Sequence, residues 1–192
     1  MASLSGFHLR SRLQGRLLRP RLRQIRLLVC DVDGVLTDGG LHYDEDGRVV
    51  KRFDVRDGLA VRMLQRAGIA VALLSGGRSG AIEQRARHLD IAHCRVGVGD
   101  KQKGLEQLRR DLDVAREHTA FLGDDLNDLA VRPVTGLLVA PADAALGVRH
   151  QADWVLRHRG GDGALRELTE AVLASQGQLA ALHRHGWREG NG

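Results

Sequence analysis

Apolar residues fall into two patterns along this chain. Short unbroken runs end abruptly at Asp, Ser or Gly, and between them lie longer stretches with apolar residues every three or four positions. Leu27-Leu28-Val29-Cys30, Ile69-Ala70-Val71-Ala72-Leu73-Leu74 and Thr119-Ala120-Phe121-Leu122 are of the first kind, and their length and sharp ends predict buried strands of a parallel sheet. Cys94–Val98, Gly136–Val139 and Asp153–Leu156 are further strand candidates. Leu59, Met63 and Leu64, with Ala60 and Ala67, make one helical stripe from Asp57 to Ala67, which Gly68 can close. Ile82, Ala86 and Leu89 mark a second helix, and Leu105, Leu108 and Leu112 a third. A short helix follows over Leu126–Val131, stopped by Pro133, and Leu165, Leu168, Val172 and Leu173 mark the last clear one. Leu41 to Phe53 is different: Asp46-Gly47 between extended segments signals a hairpin with few apolar residues, which must cover something or pair with another subunit.

Strands alternating with helices predict an α/β fold with a Rossmann-like parallel sheet, right-handed crossovers placing helices on both faces as three layers. Ligands of such sheets bind beyond the carboxyl ends of the strands. The polar clusters fall there: Asp31 and Asp33 after the first strand, Ser75 after the second, and Asp124, Asp125 and Asp128 after Thr119–Leu122.

Composition adds three things. First, 43% hydrophobic and 28% charged residues over 192 positions suit one globular domain, while 3% aromatics leave little surface for stacking nucleic-acid bases. Second, the net charge of +5 comes from the leading segment, which carries arginines from Arg10 to Arg26 and no acid; the remainder is slightly acidic. Residues 1–24 are therefore expected to form a basic, flexible arm, able to touch nucleic acid or anionic lipid but more simply a solubilising tail. Residues 25–174 form the core domain and 175–192 a C-terminal tail with little pattern. Third, Cys30 and Cys94 adjoin apolar runs and point to reduced thiols, and no run is long enough to span a bilayer, so a cytoplasmic protein is expected.

Asp31-Val32-Asp33-Gly34 sets two carboxylates two residues apart just beyond a strand. An extended backbone would put them on one side, whereas a turn at Gly34 would send one elsewhere. Beside Asp124 and Asp128 they would repel one another, and a hard divalent cation with oxygen ligands, Mg2+, relieves that. One carboxylate can then attack phosphorus and the other protonate the leaving oxygen and activate water. Ser75 can donate to a phosphoryl oxygen, Gly76 and Gly77 expose backbone N–H groups, and Lys101 or Lys103 can balance charge. Each piece also has a structural reading, as turn former, helix cap or solvated lysine.

In that order the motifs resemble the haloacid dehalogenase superfamily, and within it the 3-deoxy-D-manno-octulosonate 8-phosphate phosphatase family, from about Leu27 to Ala174. The resemblance implies an uncapped core with a small protruding hairpin, Asp31 as nucleophile, Asp33 as acid/base, and Mg2+ held by Asp31, Asp124 and the backbone carbonyl of Asp33. It implies Ser75, Gly76 and Lys101 at the phosphate, with Asp125 and Asp128 supporting. Arg56 and Asp57, in Phe53-Asp54-Val55-Arg56-Asp57-Gly58-Leu59, would sit near a substrate entrance or interface. It further implies a phosphorylated sugar acid as substrate and a homotetramer in which hairpins roof neighbouring active sites. One departure stands out: family members usually continue Gly-Arg-Lys after the residue matching Ser75, and this chain has Gly76-Gly77-Arg78. Arg78 is the candidate substitute. The change leaves open a related nonulosonate 9-phosphate or another small sugar phosphate, and a non-catalytic assembly domain is the alternative from another class.

Overall fold

The protein is described by a computed structural model covering residues 4–78 and 80–187. Its strands are β1 (Leu27–Cys30), β2 (His42–Tyr43), β3 (Val49–Val50), β4 (Ala70–Leu74), β5 (His93–Arg95), β6 (Thr119–Leu122), β7 (Leu137–Ala140) and β8 (Trp154–Val155). Six of them form one parallel sheet in the order β5-β4-β1-β6-β7-β8. The chain builds outward from β1 to β5 and then returns to place β6 on the other side of β1. This reversal opens the crevice where such sheets bind ligands.

The helices are α1 (Leu4–Leu17), α2 (Arg19–Leu22), α3 (Val55–Arg66), α4 (Gly80–His88), α5 (Lys101–Asp111), α6 (Leu146–Gln151), α7 (Ala164–Ser175) and α8 (Leu179–His185), with 3-10 turns at Arg116–His118 and Leu126–Val131. Side chains of β1 divide by strand alternation. Leu28 and Cys30 join the apolar cluster that includes residues of α3, α4 and α7, while Leu27 and Val29 join the one that includes Leu105 and Leu108 of α5. Every β1 residue is buried, so its continuous apolar run, without polar alternation, marks a central strand. Helix starts follow local chemistry: Asp54 caps α3 through Arg56 N (2.6 Å), and Asp100 caps α5 through Lys103 N (3.0 Å). Gly163, at the start of α7, has no side chain to cap with, and Asp57 of α3 does so from across the interface.

The hairpin stands apart as a two-stranded antiparallel unit, His42 opposite Val50 and Tyr43 opposite Val49, with Leu41, Tyr43 and Val50 exposed. Among the described residues no other insertion separates the motifs, as expected of an uncapped core.

The structure differs from expectation at both ends. The stretch expected to be a flexible arm is helical and docked: Leu22 is fully buried, and the Trp154 indole donates to the Ser11 carbonyl (3.0 Å) and hydroxyl (3.1 Å). Arginine frequency hid this, because Ser11, Gly15 and Leu22 carry the docking. In the tail, α8 forms and Leu179, Leu182 and Trp187 pack on the main core. Residues 1–3 and 188–192 of these segments lie outside the described residues. The strand expected at Cys94–Val98 is shorter and earlier, as β5, because Gly97 adopts φ +65 and turns the chain. Among the described residues, no helix is long and apolar enough to cross a membrane.

Candidate active site

β1 and β6 end side by side, with Cys30 in register with Leu122. The chain turns at once after each. Beyond β1 the Val32 carbonyl accepts from Leu36 N (2.9 Å) and Thr37 N (3.1 Å), so Asp31 sits at the last extended position before a tight turn. Gly34 takes φ +78 in that turn, and a Cβ there would collide with Asp124 Oδ2. Glycine therefore meets two demands: a left-handed backbone and the close approach of a carboxylate from the β6 loop.

One ligand atom each from Asp31, Asp124 and Asp128 lies within 4.8 Å of the others. Lys101, at the first position of α5, reaches into this group and bonds Asp31 Oδ2 and Asp128 Oδ1, both at 2.6 Å, with its side chain 2% exposed. Asp128 spends its other oxygen on backbone, accepting from Asp124 N (2.8 Å) and Asp125 N (3.2 Å). Asp31 Oδ1 accepts from Val32 N (2.7 Å). Asp124 Oδ1 is buried with no hydrogen-bond donor.

The electrostatics follow from this crowding. Burial first, and then the Asp128 charge, push the Asp31 carboxyl up to about 6 against the opposing pull of Lys101. Burial again, then Asp128 and Asp31, push Asp124 up to about 7. Burial alone would lower Lys101, but Asp31 and Asp128 outweigh it and hold the ammonium above its ordinary value. Three acids facing one lysine leave negative charge uncompensated, and an orphaned buried carboxylate oxygen faces inward. This donor set suits a hard divalent cation. Asp124 supplies the buried oxygen without a partner, while both oxygens of Asp31 and of Asp128 already accept a hydrogen bond or ion pair.

Asp33 does not join the cluster. The turn sends it away from Asp31, and its carboxylate pairs with Lys51, which the hairpin delivers with its side chain 2% exposed. Of the two arrangements open in the sequence, the one found is the turn that separates the two carboxylates; the metal role that the resemblance implies for Asp33 is through its backbone carbonyl. Sequence reasoning missed Lys51. It is one of several cations around the hairpin, with Arg48 and Arg52, and no local pattern singles it out.

Other expected residues divide. Ser75 is buried at the end of β4, and its hydroxyl oxygen accepts from Gly77 N (3.1 Å), which leaves the O–H free to donate. Gly76 is exposed beside it. Of the two lysines, Lys101 is the one in the site, whereas Lys103 is exposed and paired with Asp100 (3.1 Å). Asp125 is exposed and caps the following 3-10 turn through Leu126 N (2.7 Å), and Asp128 completes the capping box. Arg56 is tied to Asp54 (2.8 Å) and to Asp162. Asp57 does not face an entrance. Its buried carboxylate accepts from Arg166 N (2.9 Å) and Gly163 N (3.3 Å), and burial, chiefly, pushes it up to about 6. Arg78 is exposed and lies against Gly97, whose Cβ would meet Arg78 Nε at 2.6 Å.

Comparison with known proteins agrees with this geometry. A family model described as haloacid dehalogenase-like hydrolase matches residues 43–131. A 3-deoxy-D-manno-octulosonate 8-phosphate phosphatase from Haemophilus influenzae is 41% identical over 165 residues, spanning 86% of this chain and 92% of its own. The crystal structure of such a phosphatase from Yersinia pestis superposes with a TM-score of 0.83 at 40% identity, covering 85% of this chain and 88% of that one. The Moraxella catarrhalis enzyme, crystallised with magnesium ion, phosphate ion and KDO, gives 0.85 at 32% identity, covering 88% and 97%. With the aspartate-lysine cluster at the β1/β6 crevice and relatives of this identity over most of its length, the chain belongs to the 3-deoxy-D-manno-octulosonate 8-phosphate phosphatase family of haloacid dehalogenase-like hydrolases.

Proposed function

We propose that this chain is a Mg2+-dependent phosphatase that hydrolyses 3-deoxy-D-manno-octulosonate 8-phosphate to the free sugar acid and inorganic phosphate, a step of lipopolysaccharide biosynthesis, and that residues 25–174 with hairpin 41–53 are its catalytic unit. The observation that carries the proposal is the convergence of Asp31, Asp124, Asp128 and Lys101, with one buried Asp124 oxygen lacking a donor. Asp31, Asp124 and the Asp33 carbonyl would hold the ion, which when bound supplies charge neutralisation for the phosphoryl group.

In the chemical step an Asp31 oxygen bonds to phosphorus as the bond from phosphorus to the sugar oxygen breaks. Asp33 gives the departing oxygen its proton. Ser75 and the N–H groups around Gly76 bind the phosphoryl oxygens, and Lys101 fixes the attacking carboxylate. Water, its proton taken by Asp33, then attacks phosphorus; phosphate leaves and Asp31 is regenerated. The exposed Leu41, Tyr43 and Val50 of the hairpin support assembly into a tetramer whose neighbours roof each site. Free Cys30 and Cys94 accord with a cytoplasmic location.

Gly77 favours one second reading, a phosphatase for a nonulosonate 9-phosphate or another small sugar phosphate. A Cβ at Gly77 would stand 2.9 Å from Asp33 Oδ2, so the usual arginine cannot be accommodated without moving the acid/base. A phosphate-release screen over sugar phosphates, with and without Mg2+, decides between them. Selective Mg2+-dependent turnover of the octulosonate ester that Asp31→Asn abolishes is expected. Turnover of only unrelated esters would refute the substrate, and full activity of Asp31→Asn would refute the mechanism.

A further inference from the structure

Helix α1 is docked the wrong way round for an ordinary surface helix. The part of the helix set against Trp154 is small and polar: Ser11 is 1% exposed, and Gly15 lies so close to the Trp154 ring that a Cβ would meet it at 2.9 Å, with Leu18 packing on the core just past the helix end. The leucines point outward. Leu9, Leu13 and Leu17 are 60%, 49% and 81% exposed, and their spacing of four places them in one stripe along the helix, drifting about 40° per step. A surface helix normally buries such a stripe.

Arginines border the stripe on both sides. On the helical wheel Arg10 falls beyond one edge and Arg12 and Arg16 beyond the other, and all three are exposed. Among the described residues none of the three forms an ion pair. The acids of the groove under Arg12 and Arg16 are already taken, Glu167 by Arg157 and His158, and Glu170 by Arg166. Residues 4–26 contain no acid at all. A second copy meeting this face through the same face would set arginines against arginines, which disfavours self-association. A nucleic-acid backbone would answer the arginines but offer nothing to three leucines. An anionic lipid surface answers both, taking leucines into the acyl boundary and arginines at the headgroups.

We propose that the outward face of α1, Leu9, Leu13 and Leu17 flanked by Arg10, Arg12 and Arg16, docks the protein onto anionic phospholipid membranes. The helix lies in the interface rather than crossing it, held from behind by Trp154. Binding then depends on two terms together: buried leucine and charge, the second weakened by salt.

The test is flotation of the full chain with phosphatidylcholine vesicles, with and without phosphatidylglycerol, at low and high salt. Binding is expected to the phosphatidylglycerol vesicles, about tenfold weaker or more on neutral ones, and reduced by salt. The combined variant Leu9→Ser, Leu13→Ser, Leu17→Ser should lose binding, and Arg10→Ala, Arg12→Ala, Arg16→Ala should fall toward the neutral-vesicle level. Because every changed side chain is exposed, unfolding midpoint and phosphate release from soluble substrate should be unchanged, which serves as the folding control. Failure of wild type to float, or leucine variants that float as wild type does, would overturn the proposal. So would a change in sedimentation coefficient of the leucine variant with no vesicle binding by wild type, which would assign the stripe to a contact between copies. Tight binding of duplex DNA that the leucine substitutions leave untouched, in the absence of flotation, would likewise overturn it.

Discussion

Replacing Asp124 by asparagine should stabilise the metal-free protein while destroying its response to Mg2+. Asp124 is pushed up to about 7, by burial first and by Asp128 and Asp31 next, against an ordinary value near 3.9 in the unfolded chain. Well below the unfolded value, at about pH 3 and lower, the group is protonated in both states and contributes nothing. As pH rises toward 7 the unfolded chain releases its proton while the folded one keeps it, so stability falls, and the loss is complete above the folded value. Taken at face value, three pH units correspond to about 4 kcal/mol. Asp124 is partly exposed, and solvent screening cuts this to about 1–2 kcal/mol. Asparagine removes the charge and gives up little hydrogen bonding, since Oδ1 has no donor to lose. For a chain of this size the gain amounts to about 4 °C in unfolding midpoint. The assay is thermal unfolding in EDTA at pH 8 and pH 5, repeated with Mg2+. Asp124→Asn should melt above wild type in EDTA at pH 8, the gap should narrow at pH 5, and Mg2+ should raise only the wild type. A variant less stable than wild type at pH 8 in EDTA, or raised equally by Mg2+, would refute the repulsion argument.

Lys51→Ala frees Asp33 from its partner and should lower kcat on a sugar phosphate about 100-fold, with Mg2+ half-saturation unchanged; steady-state kinetics with undiminished kcat would show that the pair is incidental. Gly34→Ala places a methyl group against Asp124 Oδ2 and forces a side chain into φ +78, a backbone cost of about 1–2 kcal/mol. Its Mg2+ half-saturation should rise several-fold beyond what the stability loss explains, measured by titrating activity with Mg2+ at a temperature where the variant is fully folded. Asp57→Ala strips the cap from α7 and should cost about 1–3 kcal/mol in urea unfolding, while KM stays near wild type; a large rise in KM with unchanged stability would restore Asp57 to the substrate site.

The sheet was legible because its strands are buried on both faces. β1 and β6 are buried throughout and β4 at all but Ala70, and they lead into the site at Asp31, at Ser75 and, one glycine further on, at Asp124. The approach of Asp31 and Asp124 was legible for the same reason, as positions just beyond adjacent strands, whereas the sequence left Lys101 and Lys103 both open and the helix start at Lys101 is what separates them. Two other kinds of feature were hidden. α1 docks through Ser11 and Gly15, residues that no hydrophobic pattern marks, so the segment appears as charge alone. Asp57 sits in a motif-like stretch whose polar residues look alike in sequence, yet Asp54 caps its own helix, Arg56 pairs outward and Asp57 caps a helix more than a hundred residues away. Long-range capping leaves no local signature.

The pairing of Asp33 joins the hairpin to the chemistry. Sequence comparison directs attention to Arg78 as the replacement for a basic side chain after Ser75, but Arg78 lies over Gly97 while Gly77 leaves a bare Cα beside Asp33 Oδ2. The cation that does reach Asp33 is Lys51, just past β3, in a unit that exposes Leu41, Tyr43 and Val50 and packs only Phe53, at its end, on the main core. A hairpin with so little core of its own is positioned largely by what it touches. Lys51 gives it one anchor inside the site, and the proposed subunit contacts through Leu41, Tyr43 and Val50 would give it others. Shifting those contacts would then move Lys51, and with it the carboxylate expected to handle the proton, so assembly and turnover should weaken together when the outer face of the hairpin is altered.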